Sequence, residues 1–213
     1  MKMKGIFITF EGIDGCGKTT QAELLEIQLK QERRNIVLVR EPGGTVISEQ
    51  IRSIILDKNH NEMDPITETI LLAASRAQLT EEIIIPNVES GNIVISDRYT
   101  DSTLAYQGFG RGLDITWLKN INKFATKDTD PDITILVDIP VEVAISRMEG
   151  KSFDRMEIEG NEFLKRVRKG YLHLAQDYSD RFIVVDGMKS IHEIQTQIWK
   201  SISKVITSNW IID

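Results

Sequence analysis

Cysteine is almost missing from this chain. Cys16 is the only one in 213 residues, so an internal disulfide is excluded and a reducing, cytoplasmic setting is expected. Long apolar runs are missing too: no stretch reaches the roughly 20 residues that a membrane-spanning helix needs. The opening MKMKGIFITFEG is basic and then apolar, but its apolar part is only Ile6 to Phe10 and no small-residue cleavage site follows. It reads as a first strand. A positive excess is absent, since the net charge is −6, which speaks against broad binding to nucleic acid or anionic membrane. Repeats, low-complexity segments and a linker are also absent. At 41% hydrophobic and 27% charged, the chain is expected to form one globular domain over residues 1–213.

What is present is an alternation. Short β-branched runs at Ile6–Phe10, Ile36–Val39, Ile93–Ser96, Ile133–Val137 and Phe182–Val185 are nearly all apolar, as strands of a parallel sheet covered on both faces should be. Helical patterns lie between them. Thr19–Arg33 carries Ala22, Leu25 and Leu29 on one stripe, and Glu159–Tyr178 carries Leu164, Val167, Tyr171, Leu174 and Tyr178. The last helix shows Ile191, Ile194, Ile198, Ile202 and Val205. The pattern argues an open α/β sandwich with right-handed crossovers. Glu41-Pro42-Gly43-Gly44 must be a loop, and the polar, glycine-bounded Gly150–Gly160 suits a mobile surface segment or a solvated connector.

The sharpest motif is Gly12-Ile13-Asp14-Gly15-Cys16-Gly17-Lys18-Thr19, which fits G-x-x-x-x-G-K-[ST] between a strand and a helix. Its glycines let successive backbone N–H groups curl around an anion while the helix presents its positive end. Lys18 is expected to reach the β- and γ-phosphates of a nucleoside triphosphate, and Thr19 to hold Mg²⁺. A magnesium site needs a further acid at a neighbouring strand end, and Asp97 closes the third run, ahead of Arg98.

Such loops serve kinases, GTPase switches and nucleic-acid motors alike. Asn122-Lys123 is followed by Phe124-Ala125 rather than a guanine-binding x-Asp, and no D-x-x-G lies outside the phosphate loop. A motor's acidic pair and basic track are not seen. Arg40, Arg52, Arg76, Arg98 and Arg155 fall near strand ends instead, where guanidinium forks would hold an acceptor phosphate. A small-molecule kinase is the reading, though any one of these arginines taken singly is more often a surface side chain.

Phe10-Glu11-Gly12, Lys18-Thr19, Arg40-Glu41-Pro42-Gly43-Gly44, Ala73-Ala74-Ser75-Arg76, Asp97-Arg98-Tyr99 and Ala105-Tyr106-Gln107-Gly108 occur in an order and spacing that resemble thymidylate kinases, over about residues 5 to 187. The resemblance implies a three-layer sandwich with a five-stranded parallel sheet, the nucleoside monophosphate kinase fold. It also implies a homodimer that phosphorylates dTMP to dTDP with ATP and Mg²⁺. Carried over by position, the ATP contacts are Gly12 through Thr20, with Arg147 on the adenine and Asp186-Gly187 beside it. Asp14 approaches the acceptor sugar, and Arg40, Arg52 and Arg98 hold the acceptor phosphate, with Glu41 beside them. Arg76 and Gln107 meet the thymine edge, Thr103 lies near the base, and Tyr106 presses on the deoxyribose. Thr19 and Asp97 hold the metal. Lys18, Arg98 and Arg155 are the catalytic cations. The loop variables contain no base while the lid, about residues 150–160, carries Lys151, Asp154 and Arg155, so the chain resembles the lid-arginine type.

The stretch Thr69-Ile70-Leu71-Leu72-Ala73-Ala74-Ser75-Arg76 puts an arginine at the end of an apolar helix, with Leu72 one turn earlier where relatives commonly carry phenylalanine. The resemblance makes Leu72 a wall of the base pocket that gives up aromatic stacking. A broader deoxynucleoside-monophosphate or deoxynucleoside kinase using the same crevice, and an ATP-binding regulatory module without turnover, are the competing readings. His60, His173 and His192 are scattered and read as surface residues, Cys16 as a small filler, Lys165–Lys169 as a solvated helix face, and Met148 and Met156 as packing.

Overall fold

The computed structural model describes residues 5–150, 155, 156 and 159–208. Five parallel strands, β1 (Ile6–Glu11), β2 (Ile36–Arg40), β3 (Ile93–Asp97), β4 (Ile133–Asp138) and β5 (Phe182–Asp186), form one sheet in the order β2-β3-β1-β4-β5. Nine α-helices connect them in the described chain: α1 (Lys18–Gln31), α2 (Val46–Leu56), α3 (Pro65–Leu79), α4 (Ile85–Glu89), α5 (Thr100–Thr103), α6 (Ile115–Thr126), α7 (Val141–Met148), α8 (Asn161–Asp177) and α9 (Ile191–Ser208).

Every strand runs one residue past its apolar run, and that extra residue is charged: Glu11, Arg40, Asp97, Asp138 and Asp186. Hydropathy ends one position before the backbone ladder does, because the chain turns polar at the carboxyl edge of the sheet, where open α/β sheets form their crevice. Along β1 the even positions Ile6, Ile8 and Phe10 join the main core with Leu25, Leu29, Ile93, Ile95, Val167 and Ile198. The odd positions pass from Phe7 through Thr9 to Glu11, all buried, so the opposite face turns polar towards the site. Phe7 meets Tyr99 edge-on at 4.8 Å between ring centroids, within a second cluster that includes Leu79, Ile84 and Val94.

The helical stripes are largely buried as their spacing predicts, with Tyr178 and Val205 partly buried at their ends and one residue exposed. Ile194, Ile198 and Ile202 are buried, but Ile191 is more than half exposed because it occupies the first position of α9, before the helix turns onto the sheet. The apolar helix carrying Arg76 does not stop there. Asp64 caps it through Ile66 N (2.8 Å) and Thr67 N (3.3 Å), Pro65 starts it, and it runs to Leu79 and on through a π-helical turn, Thr80–Ile84. A second π-helical stretch, Leu104–Gly110, follows α5 and carries Tyr106 and Gln107, the sort of register change that often re-aims side chains at a site.

Candidate active site

The phosphate loop lies between β1 and α1. Gly12, Gly15 and Gly17 have φ of 139°, 80° and 95°, and a Cβ at Gly12 would meet the Val137 carbonyl at 2.6 Å, so a side chain is excluded there. Gly17 provides no side-chain cap for α1, and the first turn of that helix holds no acid, so its N–H groups and positive end stay open to an anion. Cys16 is buried and its thiol is pushed up by burial, which fits a filler rather than a nucleophile.

Asp14 is the junction. Its carboxylate accepts from Lys18 Nζ (3.1 Å), Arg98 Nη2 (2.5 Å) and the Tyr106 hydroxyl (2.9 Å). Burial alone would raise this carboxyl, but Arg98 and Lys18 hold it well below the usual carboxylate range. Arg98 also donates to the Gly12 carbonyl (3.0 Å) and to the hydroxyls of Ser102 (3.2 Å), Tyr171 (3.1 Å) and Tyr106 (3.1 Å), with its guanidinium 4.9 Å above the Tyr106 ring. Its backbone sits at φ 75°, a strained value for a β-branch-free but bulky residue, and two bonds hold it there. Arg98 N donates to Phe10 O (2.9 Å), and Tyr99 N donates to Glu11 Oε1 (2.8 Å).

Glu11 therefore shapes the loop that carries Arg98. It also accepts from Ser102 Oγ (2.6 Å) and the Tyr171 hydroxyl (2.9 Å), and burial, followed by the nearby Asp101, pushes its carboxyl up to about 7. At the neighbouring strand end Thr19 donates its hydroxyl to Asp97 Oδ2, while Asp97 Oδ1 is buried without a hydrogen-bond partner. A hydroxyl and a carboxylate with an orphaned oxygen fit Mg²⁺, which takes few protein ligands and completes its shell with phosphate oxygens and water. Among the described residues no cluster of three or more His, Cys, Asp or Glu forms a protein-only metal cage.

Beside this junction opens a cavity with about 640 Å³ of empty space, part of it facing solvent. Of the expected acceptor contacts, Asp14, Glu41, Arg52, Leu72, Arg76, Arg98, Thr103, Tyr106 and Gln107 line it. Arg40 does not: it is half exposed and held by both oxygens of Glu49 at 2.9 and 3.0 Å. Arg52 donates to the Pro42 carbonyl (2.8 Å) beyond a cis Glu41–Pro42 peptide bond. Arg76 is 2% exposed and largely committed, donating to Glu41 Oε2 (2.7 Å), Thr103 Oγ1 (2.8 Å), Asn122 Oδ1 (2.6 Å) and Tyr99 O (3.0 Å). Glu41 Oε1 has no hydrogen-bond partner, and burial pushes the Glu41 carboxyl up to about 7 against the pull of Arg76.

Arg155 stands apart from the phosphate loop. It is buried, donating to Ile55 O (2.7 Å) and Glu68 Oε2 (2.6 Å). Met156 is more than packing, since it lines the same cavity. Lys151 and Asp154 lie outside the described residues. Arg147 donates to Cys16 O (3.4 Å) and Gly187 O (3.0 Å), tying the phosphate loop to the turn after β5. The Lys165–Lys169 run is not wholly solvated: Val167 is buried, Arg168 pairs with Asp138 (2.7 Å) and Arg166 donates to Gly110 O (3.0 Å). The sequence reading missed Glu68, although it lies on the same helical face as Leu72 and Arg76, at steps of four. It also missed Arg111, which pairs with Glu68, and counted Tyr171 only as part of an apolar stripe.

A phosphate loop that shares one carboxylate with an arginine-lined second cavity defines a phosphotransferase of the P-loop nucleoside monophosphate kinase class. Comparison with known proteins narrows the class. The family model for thymidylate kinase matches residues 10–198. Thymidylate kinase from Caldanaerobacter subterraneus subsp. tengcongensis is 48% identical over 204 residues, 96% of this chain and 98% of its own. That of Desulforudis audaxviator is 44% identical over 205 residues, 96% of this chain and 93% of its own. The crystal structure of thymidylate kinase from Ehrlichia chaffeensis superimposes with a TM-score of 0.76 at 33% identity, covering 93% of this chain and 99% of that one. The chain belongs to the thymidylate kinase family and is a phosphotransferase.

Proposed function

We propose that the protein transfers the γ-phosphoryl group of ATP to dTMP, giving dTDP and ADP, as a single domain with a lid at about residues 150–160. The observation that carries this reading is Asp14, whose carboxylate joins Lys18 of the phosphate loop to Arg98 of the acceptor cavity. Two cations sharing one counter-ion are poised to be taken over by two phosphates brought side by side. Transfer then needs positioning and charge neutralisation more than covalent chemistry. The acceptor is a phosphate oxygen that is already anionic near neutral pH, so no general base is assigned.

In this reading the loop from Gly12 to Thr20 wraps the ATP phosphates, and Arg147 with Gly187 borders the adenine. Thr19 and Asp97 hold Mg²⁺, which supplies charge neutralisation on the phosphates when bound. Arg98, with Arg52, holds the acceptor phosphate. Tyr106, kept as a protonated donor because burial raises its hydroxyl, presses on the deoxyribose. Arg155 enters by exchanging Glu68 for the transferring phosphoryl group as the lid closes.

The isoleucines left exposed on α2 (Ile47, Ile54) and α3 (Ile66, Ile70), at steps of seven and four, support pairing with a second copy as a homodimer. No described helix is long and apolar enough to cross a membrane, and a cytoplasmic location is part of the proposal. The test is purified protein with ATP–Mg²⁺ and a panel of nucleosides and nucleoside monophosphates, with ADP formation measured. Strong preference for dTMP supports the reading, use of thymidine alone points to a nucleoside kinase, and no ADP with any acceptor defeats it.

A further inference from the structure

Glu68 is a carboxylate with no exposed side-chain surface in the first turn of α3. All its oxygens are taken. Oε1 accepts from Gln107 Nε2 (2.8 Å) and Arg111 Nε (3.0 Å), and Oε2 accepts from Arg111 Nη2 (2.9 Å) and Arg155 Nη2 (2.6 Å). Burial of this strength opposes ionisation, but the donors from Arg111, Gln107 and Arg155 overrule it and hold the carboxyl down. Glu68 is thus an acceptor and nothing else. An acceptor-only neighbour decides which way an amide points. Turned over, Gln107 would set its carbonyl oxygen against the carboxylate and leave its N–H groups in the cavity. With the amino group committed to Glu68, the carbonyl is the end of the amide left for the cavity that Gln107 lines beside Leu72, Arg76 and Thr103.

We infer that Glu68 is a positioning residue for base selection: it locks the Gln107 carbonyl towards the acceptor, so that the site takes a pyrimidine whose ring nitrogen carries a hydrogen and rejects cytosine, whose ring nitrogen carries a lone pair. The inference rests on the acceptor reading above and adds the device that makes the selection. It also means that base choice and the lid meet at one carboxylate, because Arg155 shares Glu68 with Gln107.

The experiment is a double-mutant cycle on the full chain, with kcat/KM measured for dTMP and for dCMP, and KM for ATP as the control. Glu68→Gln removes the acceptor-only character, and its amide can pair with Gln107 in either orientation. The expected result is a fall of about tenfold or more in the dTMP-to-dCMP ratio, with KM for ATP within about twofold of wild type. Glu68→Asp keeps the charge and draws it back by one methylene, and should give a smaller loss in a variant that retains its buried ion pairs. Gln107→Leu should lower the ratio by itself, and adding Glu68→Gln to it should lower the ratio no further. An unchanged ratio in both Glu68 variants, or the same additional loss in the Gln107→Leu background, overturns the inference. If the wild-type chain phosphorylates nucleotides but ignores dTMP, the acceptor reading has failed and takes this inference with it. If wild type prefers dTMP and the Glu68 variants keep that preference, only the inference has failed.

Discussion

Replacing Arg76 with methionine should damage stability at least as much as base recognition. The guanidinium is 2% exposed and serves four protein acceptors, one of them the Glu41 carboxylate, itself 3% exposed at its side chain. Taking away one partner of a buried pair costs about 3–5 kcal/mol, because the other charge stays buried without compensation. For a chain of this size each kcal/mol moves the melting temperature by about 2–4 °C, so a drop of roughly 6–20 °C is expected. The loss has a ceiling set by Glu41, already pushed up to about 7, which can escape by taking a proton. The deficit measured by calorimetry should therefore be smaller at pH 6 than at pH 8. Adding Glu41→Gln should recover part of it, since removing both partners is milder than removing one. A melting temperature within about 3 °C of wild type at pH 8, or no recovery in the double variant, would refute the reasoning.

Wild-type stability should fall as pH rises from about 5 to 8. Glu11 and Glu41 have folded-state values raised from 4.5 to about 7, so their contribution is complete below 4.5 and is lost as pH climbs through 7. Asp14 and Glu68 are lowered and work in the opposite direction, losing their contribution only at more acid pH. Glu41→Gln should flatten the slope in urea titrations, and an unaltered slope would clear Glu41 of responsibility. Arg155→Ala should lower kcat by about a hundredfold while changing the KM for dTMP little, if it neutralises the transferring phosphoryl group. Unchanged turnover would leave it as an anchor of the lid on Glu68. Leu72→Phe should tighten dTMP binding by up to about 1 kcal/mol or leave it unchanged, as read by calorimetric titration, because it adds a stacking ring to an aliphatic wall. A large loss would show that the pocket is built on a different pose.

Much of this architecture is legible in the residues because α/β sheets write themselves as β-branched runs between helical stripes. Each strand is found within one residue, and the shortfall has one cause: the last residue is charged and turns to polar partners at the carboxyl edge of the sheet, so hydropathy stops before the hydrogen bonds do. The phosphate loop is equally plain, since its glycines, lysine and threonine have fixed spacing. What stays hidden is the wiring between motifs. Nothing in the order of residues says that Asp14 will join Lys18 to Arg98 across 84 positions, or that Arg155 will rest on Glu68 across 87. Arg40 looks equivalent to Arg98 by its place after a strand, yet β2 is an edge strand and leaves it half exposed beside Glu49, while β3 lies inside the sheet and buries Arg98. Glu68 shares the helical spacing of Leu72 and Arg76, but an acid in the first turn of a helix looks like surface until its partners are seen.

The most direct measurement is the fate of labelled phosphate. Incubating the protein with γ-labelled ATP, Mg²⁺ and dTMP, and separating the nucleotides, should recover the label in the terminal phosphate of dTDP, with little free phosphate. Label that appears only as inorganic phosphate, or that reaches thymidine but not dTMP, would contradict the account.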